Sequence, residues 1–313
     1  MPWVSTPHER PARFDVGVVG AGRVGSVLGA ALARAGHVVT GVSAVSEESL
    51  ERAAALLPGV PVKPIPEVVS GAHLVVLAVP DDALADLVAG LSATGTFTPG
   101  QLVMHTSGAH GISVFEAAVD SDIVPLALHP AMTFTGMSLD LTRLLDGTFG
   151  VTADAAMLPI AQALVVEMGA EPVAIAEADR VLYHAALAHG SNHLVTLVAQ
   201  ASQMLRDVGV EAPDRMLGPL LRATLENALA SGETALTGPV ARGDTGTVAA
   251  HAGALREYDG GAAGDILEAY LAMARATARR AGSRGLLKPE QLDGIEQALG
   301  GPGQNGTPAP EGP

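Results

Sequence analysis

The 313-residue chain contains no cysteine and only two lysines, Lys63 and Lys288. The missing cysteine excludes a disulfide framework, a thiol nucleophile, a thiolate zinc site and an iron–sulfur cluster. Aromatics are scarce: one Trp, three Tyr and five Phe are too few for base-stacking platforms. Positive charge is thin too. A formal charge of −15 repels phosphate over most of the surface and argues against nucleic-acid or anionic-membrane partners. Met1–Arg13 has mixed charges and no apolar h-region, so no secretory signal is expected and the expected compartment is the cytoplasm. Residues 181–205 lack Asp, Glu, Lys and Arg. They include His184, His189, His193, Asn192, Gln200 and Gln203, which suit a long buried helix better than lipid.

What is present is order of two kinds. Residues 1–12 read as a disordered arm and 300–313 as a Gly/Pro-rich tail. Between them, short β runs alternate with helical segments: strands over 14–19, 38–45, 60–62, 73–79, 102–105, 123–128, 147–151 and 172–175. Repeated β–α–β implies an α/β, doubly wound, mostly parallel sheet of Rossmann type. After residue 176 the strand pattern stops. Helices are expected over 178–208, 213–231, 245–258, 261–281 and 289–298, so the expected division is an α/β domain at 13–176 and an all-α domain at 177–299.

Gly20-Ala21-Gly22-Arg23-Val24-Gly25 is a G-x-G-x-x-G that follows a predicted strand and opens a predicted helix. Gly20 permits the tight turn, Gly22 lets backbone approach a pyrophosphate, and Gly25 lets helix and strand pack closely. The phosphates would sit on the helix N-terminus. No acid lies between Asp15 and Glu47 to grip a ribose 2′-hydroxyl. Ser43, Ser46 and Arg23 suit a 2′-phosphate instead, which favours NADP over NAD. Ala78-Val79-Pro80 and Thr106-Ser107 end two further strands and are cofactor-contact candidates. Asp81 or Asp82 reads as a helix cap, and Thr106 and Ser107 read equally as turn chemistry.

Three segments are candidates for substrate chemistry. On the long helix, Arg180, His184 and Ser191 share a stripe with Asn192 at its edge, in surroundings of Ala, Leu and Val. His129 ends an apolar strand just before Pro130, where a cleft role and a turn role are both open. Arg242 lies in a Gly-rich loop and could grip a carboxylate; Asp244 reads as a helix N-cap, with His251 on the following helix. His189 and His193 are four apart, but no third ligand is evident, so no metal is expected.

Residues 128–134 (LHPAMTF), 183–192 (YHAALAHGSN) and 236–244 (LTGPVARGD), together with the glycine motif, resemble the Rossmann-like plus DUF2520 family. That family falls in the 6-phosphogluconate-dehydrogenase-like superfamily, with ketopantoate and pyrroline-5-carboxylate reductases. The resemblance implies an NADP-dependent oxidoreductase acting on a small molecule, with 2-dehydropantoate as a candidate substrate. An imine reductase and a non-catalytic NADP-binding redox sensor are the alternatives. It also implies a homodimer through the helical domain, consistent with helices that are Ala/Leu-rich on several faces. One feature does not carry over. Superfamily members use a lysine one turn before an asparagine, and here that position, before Asn192, is Ala188. His184 is then the first choice of proton donor, ahead of Tyr183 and His129.

Overall fold

A computed structural model describes residues 13–258 and 264–300. The expected arm at 1–12 and nearly all of the expected tail at 300–313 lie outside the described residues. The chain divides into two compact units, 1–192 and 193–313.

The first unit is built on a seven-stranded sheet in the order β2-β1-β3-β4-β5-β6-β7. Its strands are β1 (Asp15–Val19), β2 (Val38–Ser43), β3 (Leu74–Leu77), β4 (Leu102–His105), β5 (Val124–Pro130), β6 (Thr148–Ala153) and β7 (Glu171–Ala174). All pairings are parallel except β5 with β6, which is antiparallel. The expected strand at 60–62 is reduced to a single bridge between Val42 and Val62.

Central strands bury both faces, and their alternation sorts the core into two layers. Val16, Val18, Leu74, Val76, Leu102, Met104, Leu126 and Leu128 face one side, against α1 (Arg23–Arg34), α5 (Leu139–Arg143) and α6 (Leu158–Glu167). Val19, Val75, Leu77 and Val103 face the other, against α3 (Ile65–Ser70), α4 (Asp81–Ala93) and a 3₁₀ segment, Ile112–Ser121. α2 (Glu47–Leu56) packs beside α1. Close approach of α1 depends on small residues: a Cβ on Gly29 would sit 3.0 Å from Val18 Cγ2. α4 starts without the expected aspartate cap. Pro80 occupies the N-cap position, and Asp81 and Asp82 fill the first turn, where they complement the helix dipole.

After β7 comes α7 (Arg180–Leu187), still part of the first unit. Strands stop where the sequence pattern stops, but the compact unit runs one helix further. The cause is Arg180, whose buried guanidinium bonds to β5 and β6, so α7 is tied to the sheet. A π-helical turn, Ala188–Asn192, then leads into α8 (His193–Asp207). The sequence reading expected an unbroken α-helix here. Such wide turns recur at functional sites.

The second unit contains α8, α9 (Pro213–Ser231), α10 (Pro239–Arg242), α11 (Thr245–Glu257), α12 (Asp265–Ser283) and α13 (Pro289–Ala298). Its core is small: Val248, Ala274, Ala278, Ile295 and Leu299 between α11, α12 and α13, and a second cluster of Ala241, Ala281 and Leu287. No helix among the described residues is long and apolar enough to cross a membrane.

Candidate active site

The Gly20–Gly25 loop leaves β1 at the point where sheet order reverses, with β2 on one side and β3 on the other. Ligands bind at such crevices. Gly20 has φ +96°, a region natural to glycine. Gly22 is the N-cap of α1, has no side-chain cap, and a Cβ there would meet nothing within 4 Å. The helix N-terminus is therefore open to an anion. A Cβ on Gly25 would collide with Gly20 O and Ala78 Cβ, so the third glycine is required by packing. Ala21 is buried, and Val24 packs against the core beneath the loop.

The two serines have local duties. Ser43 is buried and its Oγ accepts from Gly20 N at 2.9 Å, holding the loop on β2. Ser46 caps α2 by accepting from Ser49 N at 3.2 Å. Glu48, whose carboxyl is held below its ordinary value by its own backbone amide and by Ser46, belongs to that helix start. Two arginines do meet at the loop. Arg23 opens α1, and Arg52 on α2 approaches Ala21 O through Nε at 3.5 Å. Both flank Gly136: a Cβ there would lie 2.8 Å from Arg52 Cδ and 3.1 Å from Arg23 Cγ. Asp140 fixes that turn by accepting from Thr135 N at 2.7 Å and Gly136 N at 2.8 Å. Burial opposes its charge, but these bonds keep its carboxyl below the ordinary value. Arg52 escaped the sequence reading because it sits mid-helix, outside any motif.

The neighbouring loops follow in sheet order. Ala78 N bonds Val19 O at 2.8 Å, and Thr106 N bonds Leu77 O at 3.3 Å, so 78–80 and 106–108 continue the rim from β1 to β4. Ser107 is buried and serves the turn, its Oγ accepting from His110 N at 3.1 Å. His105 beneath it is a fixed neutral imidazole. Nδ1 accepts from Ser107 N at 3.2 Å and Nε2–H donates to Gly111 O at 2.9 Å. Burial pushes its pKa down to about 4.

At the end of β5 the rim opens into a cleft of about 360 Å³. His129, Met132, His184, Ala188, Ser191 and Asn192 line it, so the structure gathers four of the five catalytic candidates. The His129 and His184 rings are edge-to-face, with centroids 5.6 Å apart. Tyr183 Oη lies 2.9 Å from His129 Nδ1. Gly108 presses on both histidines: a Cβ there would be 2.6 Å from His184 Cδ2 and 2.9 Å from His129 Nε2. The glycine at 108 thus joins the β4 loop to the cleft, a role the sequence reading missed. Burial, with the nearby His184 and Arg180, pushes His129 down to about 4, against a weak pull from Asp81.

Arg180 is not on the site stripe as expected. It is 1% exposed. Its Nε donates to Thr152 Oγ1 at 2.8 Å and its Nη2 to Ala127 O at 2.7 Å and Gly150 O at 3.2 Å, while Nη1 is buried with no partner. Its Cζ stands 5.9 Å from the Tyr183 ring centroid. Arg242 belongs to the second unit, where its guanidinium holds Asp244 Oδ2 at 2.9 Å and 3.2 Å. Asp244 occupies the N-cap position of α11 but gives its carboxylate to that pair, and makes no cap bond. His251 pairs with Tyr270 at 3.0 Å. No cluster of three or more metal-ligating side chains exists among the described residues.

A mostly parallel sheet with a glycine-lined helix start at its reversal point defines a Rossmann-like fold. Two family models match the chain: a Rossmann-like domain over residues 3–130 and DUF2520, a domain of unknown function, over 147–277. The chain thus combines a Rossmann-like domain with a DUF2520 domain. No curated protein sequence matches it. Among solved structures it is similar to the proposed NADP oxidoreductase BF3122 of Bacteroides fragilis, with TM-score 0.71 and 22% identity over 85% of this chain and 98% of that one. It is also similar to an imine reductase variant from Myxococcus stipitatus in complex with NAD+, with TM-score 0.57 and 16% identity over 91% and 99% of the two chains. A third similarity is to pyrroline-5-carboxylate reductase of Coxiella burnetii, with TM-score 0.52 and 15% identity over 88% and 100%. At these identities the likeness establishes the fold.

Proposed function

We propose that the chain is an NADP-dependent reductase of a small 2-oxo acid, with 2-dehydropantoate as the candidate substrate. The observation that carries this reading is the row of carboxyl-end loops. From β1 through β3 and β4 to β5, it runs from an open glycine-lined helix start to a cleft holding two histidines, a serine and an asparagine. The residues fit the dinucleotide. Gly20–Gly25 amides would hold its pyrophosphate, and Arg23 and Arg52, with no acid at the end of β2, would meet a 2′-phosphate. When bound, the cofactor supplies a hydride. The protein then has to hold the carbonyl, exclude water and give one proton. Ser191 and Asn192 line the cleft as carbonyl-orienting donors, and a histidine of the His184–His129 pair delivers the proton, since no lysine lines the cleft. The reading also includes a homodimer through α8 and α9, whose exposed Val195, Leu220 and Leu229 call for a cover.

NADPH oxidation with 2-dehydropantoate is the direct test. The imine-reductase likenesses support a second reading, in which the substrate carries C=N. Turnover of a cyclic imine, without turnover of the oxo acid and with little effect of His184→Ala, selects that reading, since an iminium arrives protonated. NADPH binding with neither turnover selects a non-catalytic sensor.

A further inference from the structure

Tyr183, His129 and Arg180 form a connected series leading from the sheet interior to the cleft. Tyr183 leans on Gly150, where a Cβ would lie 2.6 Å from its Oη, so glycine is needed to seat the phenol. Burial raises the phenol's pKa, and the Arg180 cation opposes that shift. Tyr183 Oη stands 2.9 Å from His129 Nδ1, within reach for the phenol to donate its proton there. An Nδ1 that accepts leaves the imidazole proton on Nε2. That atom has no hydrogen-bond partner among the described residues, on a ring that lines the cleft. Behind the phenol stands Arg180, a buried cation paired with carbonyls and a hydroxyl rather than a carboxylate, with Nη1 unsatisfied. Glu177 acts on this cation through space, but no carboxylate is hydrogen-bonded to it, which leaves its burial costly.

We propose that the proton for reduction comes from Tyr183 through His129, with Arg180 holding the phenolate that results. The proposal deepens the reductase reading and rests on it. As hydride reaches the carbonyl carbon and the oxygen gains charge, Nε2–H passes its proton to that oxygen. The Tyr183 O–H bond then breaks toward Nδ1, restoring a neutral imidazole. The product leaves as an alcohol, and the negative charge ends on the phenol oxygen, near the Arg180 cation. Water returns the proton before the next cycle. No imidazolium is needed at any stage, which agrees with His129 being held neutral. The charged and titratable groups acting on it are His184, Arg180, Asp81 and His105. His129 is the catalytic residue; Tyr183 supplies its proton and fixes its tautomer.

The tautomer is read without substrate or cofactor, from ¹⁵N chemical shifts of the His129 ring in the full chain. The expected result is an Nε2–H form in the wild type and a mixture in Tyr183→Phe, which keeps the ring against Gly150. A wild-type Nδ1–H form overturns the relay, whatever the activity. In NADPH turnover, Tyr183→Phe and His129→Gln should each lower kcat at least about 100-fold with little change in KM. The double variant should be no slower than the worse single one, because relay members act as a unit. A Tyr183→Phe enzyme with near-normal kcat overturns the relay and leaves the reductase reading standing. Absence of NADPH turnover on carbonyl and imine alike sinks that reading instead.

Discussion

The two units bury apolar surface to very different degrees. In the sheet unit, eight of the twelve residues of α1 are buried, and every residue of β3 and β4 is. In the helical unit, α8 buries only Gln200 and α9 only Pro213, while Leu220 and Leu229 of α9 stand 61% and 79% exposed. A sheet covered on both faces finishes its own core within one chain. The helical unit leaves apolar side chains of α8 and α9 exposed, which the proposed homodimer would cover.

The sharpest way to break this contrast is a matched pair of leucine truncations. Leu28→Ala removes a side chain with no exposure from between α1 and the sheet, and should cost about 2–5 kcal/mol in urea unfolding. Leu229→Ala should cost less than about 0.5 kcal/mol in a dilute monomer. Its effect should show in self-association, as a weaker dimer by sedimentation velocity. Equal losses of unfolding free energy from the two changes would mean that α9 is a core helix.

A second difference lies in buried imidazoles. The sheet unit holds His105 and His129 neutral, each with its pKa lowered from 6.5 to about 4, first by burial. The folded pKa is below the unfolded one, so unfolding takes up protons between these values. The associated stability is complete above about pH 6.5 and is lost as pH falls toward 4. The loss is on the order of 3 kcal/mol for His105 and smaller for His129, which is partly open to the cleft. At pH 5 these two rings should account for uptake of close to two protons on unfolding. NMR titration of their Cε1 protons checks the assignment; either ring titrating near 6.5 contradicts it.

Local pattern made the fold legible, because each layer of this sheet repeats a short-range rule. The β3 run of four buried apolar residues and the strand–glycine–helix of 15–34 declare themselves in sequence. So does α9, whose limits match the expectation at both ends. The antiparallel β5–β6 pairing did not, since period and composition are alike for both directions. The site was half legible. His129, His184, Ser191 and Asn192 do share one cleft. Ser43, Ser107 and Arg242 each had the right chemistry for a ligand, but a nearer backbone group or carboxylate claims them. Arg52, Gly108 and the depth of Arg180 depend on which distant loops meet, and no local spacing encodes that.

The nucleotide preference gives a smaller effect. Arg52 is the cation on α2 that reaches across to the glycine loop, and it flanks Gly136 with Arg23. Arg52→Ala should weaken NADPH binding about 10-fold by calorimetry, roughly 1.4 kcal/mol, and leave NADH binding unchanged. An equal loss for both nucleotides would assign Arg52 to the loop rather than to a 2′-phosphate.

The smallest expected effect separates the two arginines that the sequence made look alike. Arg180 is sealed in the sheet unit, while Arg242 and Asp244 form a pair on the helical unit with side chains 59% and 42% exposed. Water screens such a pair, so Arg242→Ala should change stability by no more than about 1 kcal/mol. Its value as a test lies in the kinetics. If Arg242 exchanges Asp244 for the carboxylate of a substrate, Arg242→Ala raises KM about 10-fold or more at an unchanged melting temperature. If KM stays as it was, Arg242 and Asp244 are a surface pair. In that case the carboxylate contact proposed for a 2-oxo acid lies outside this pair.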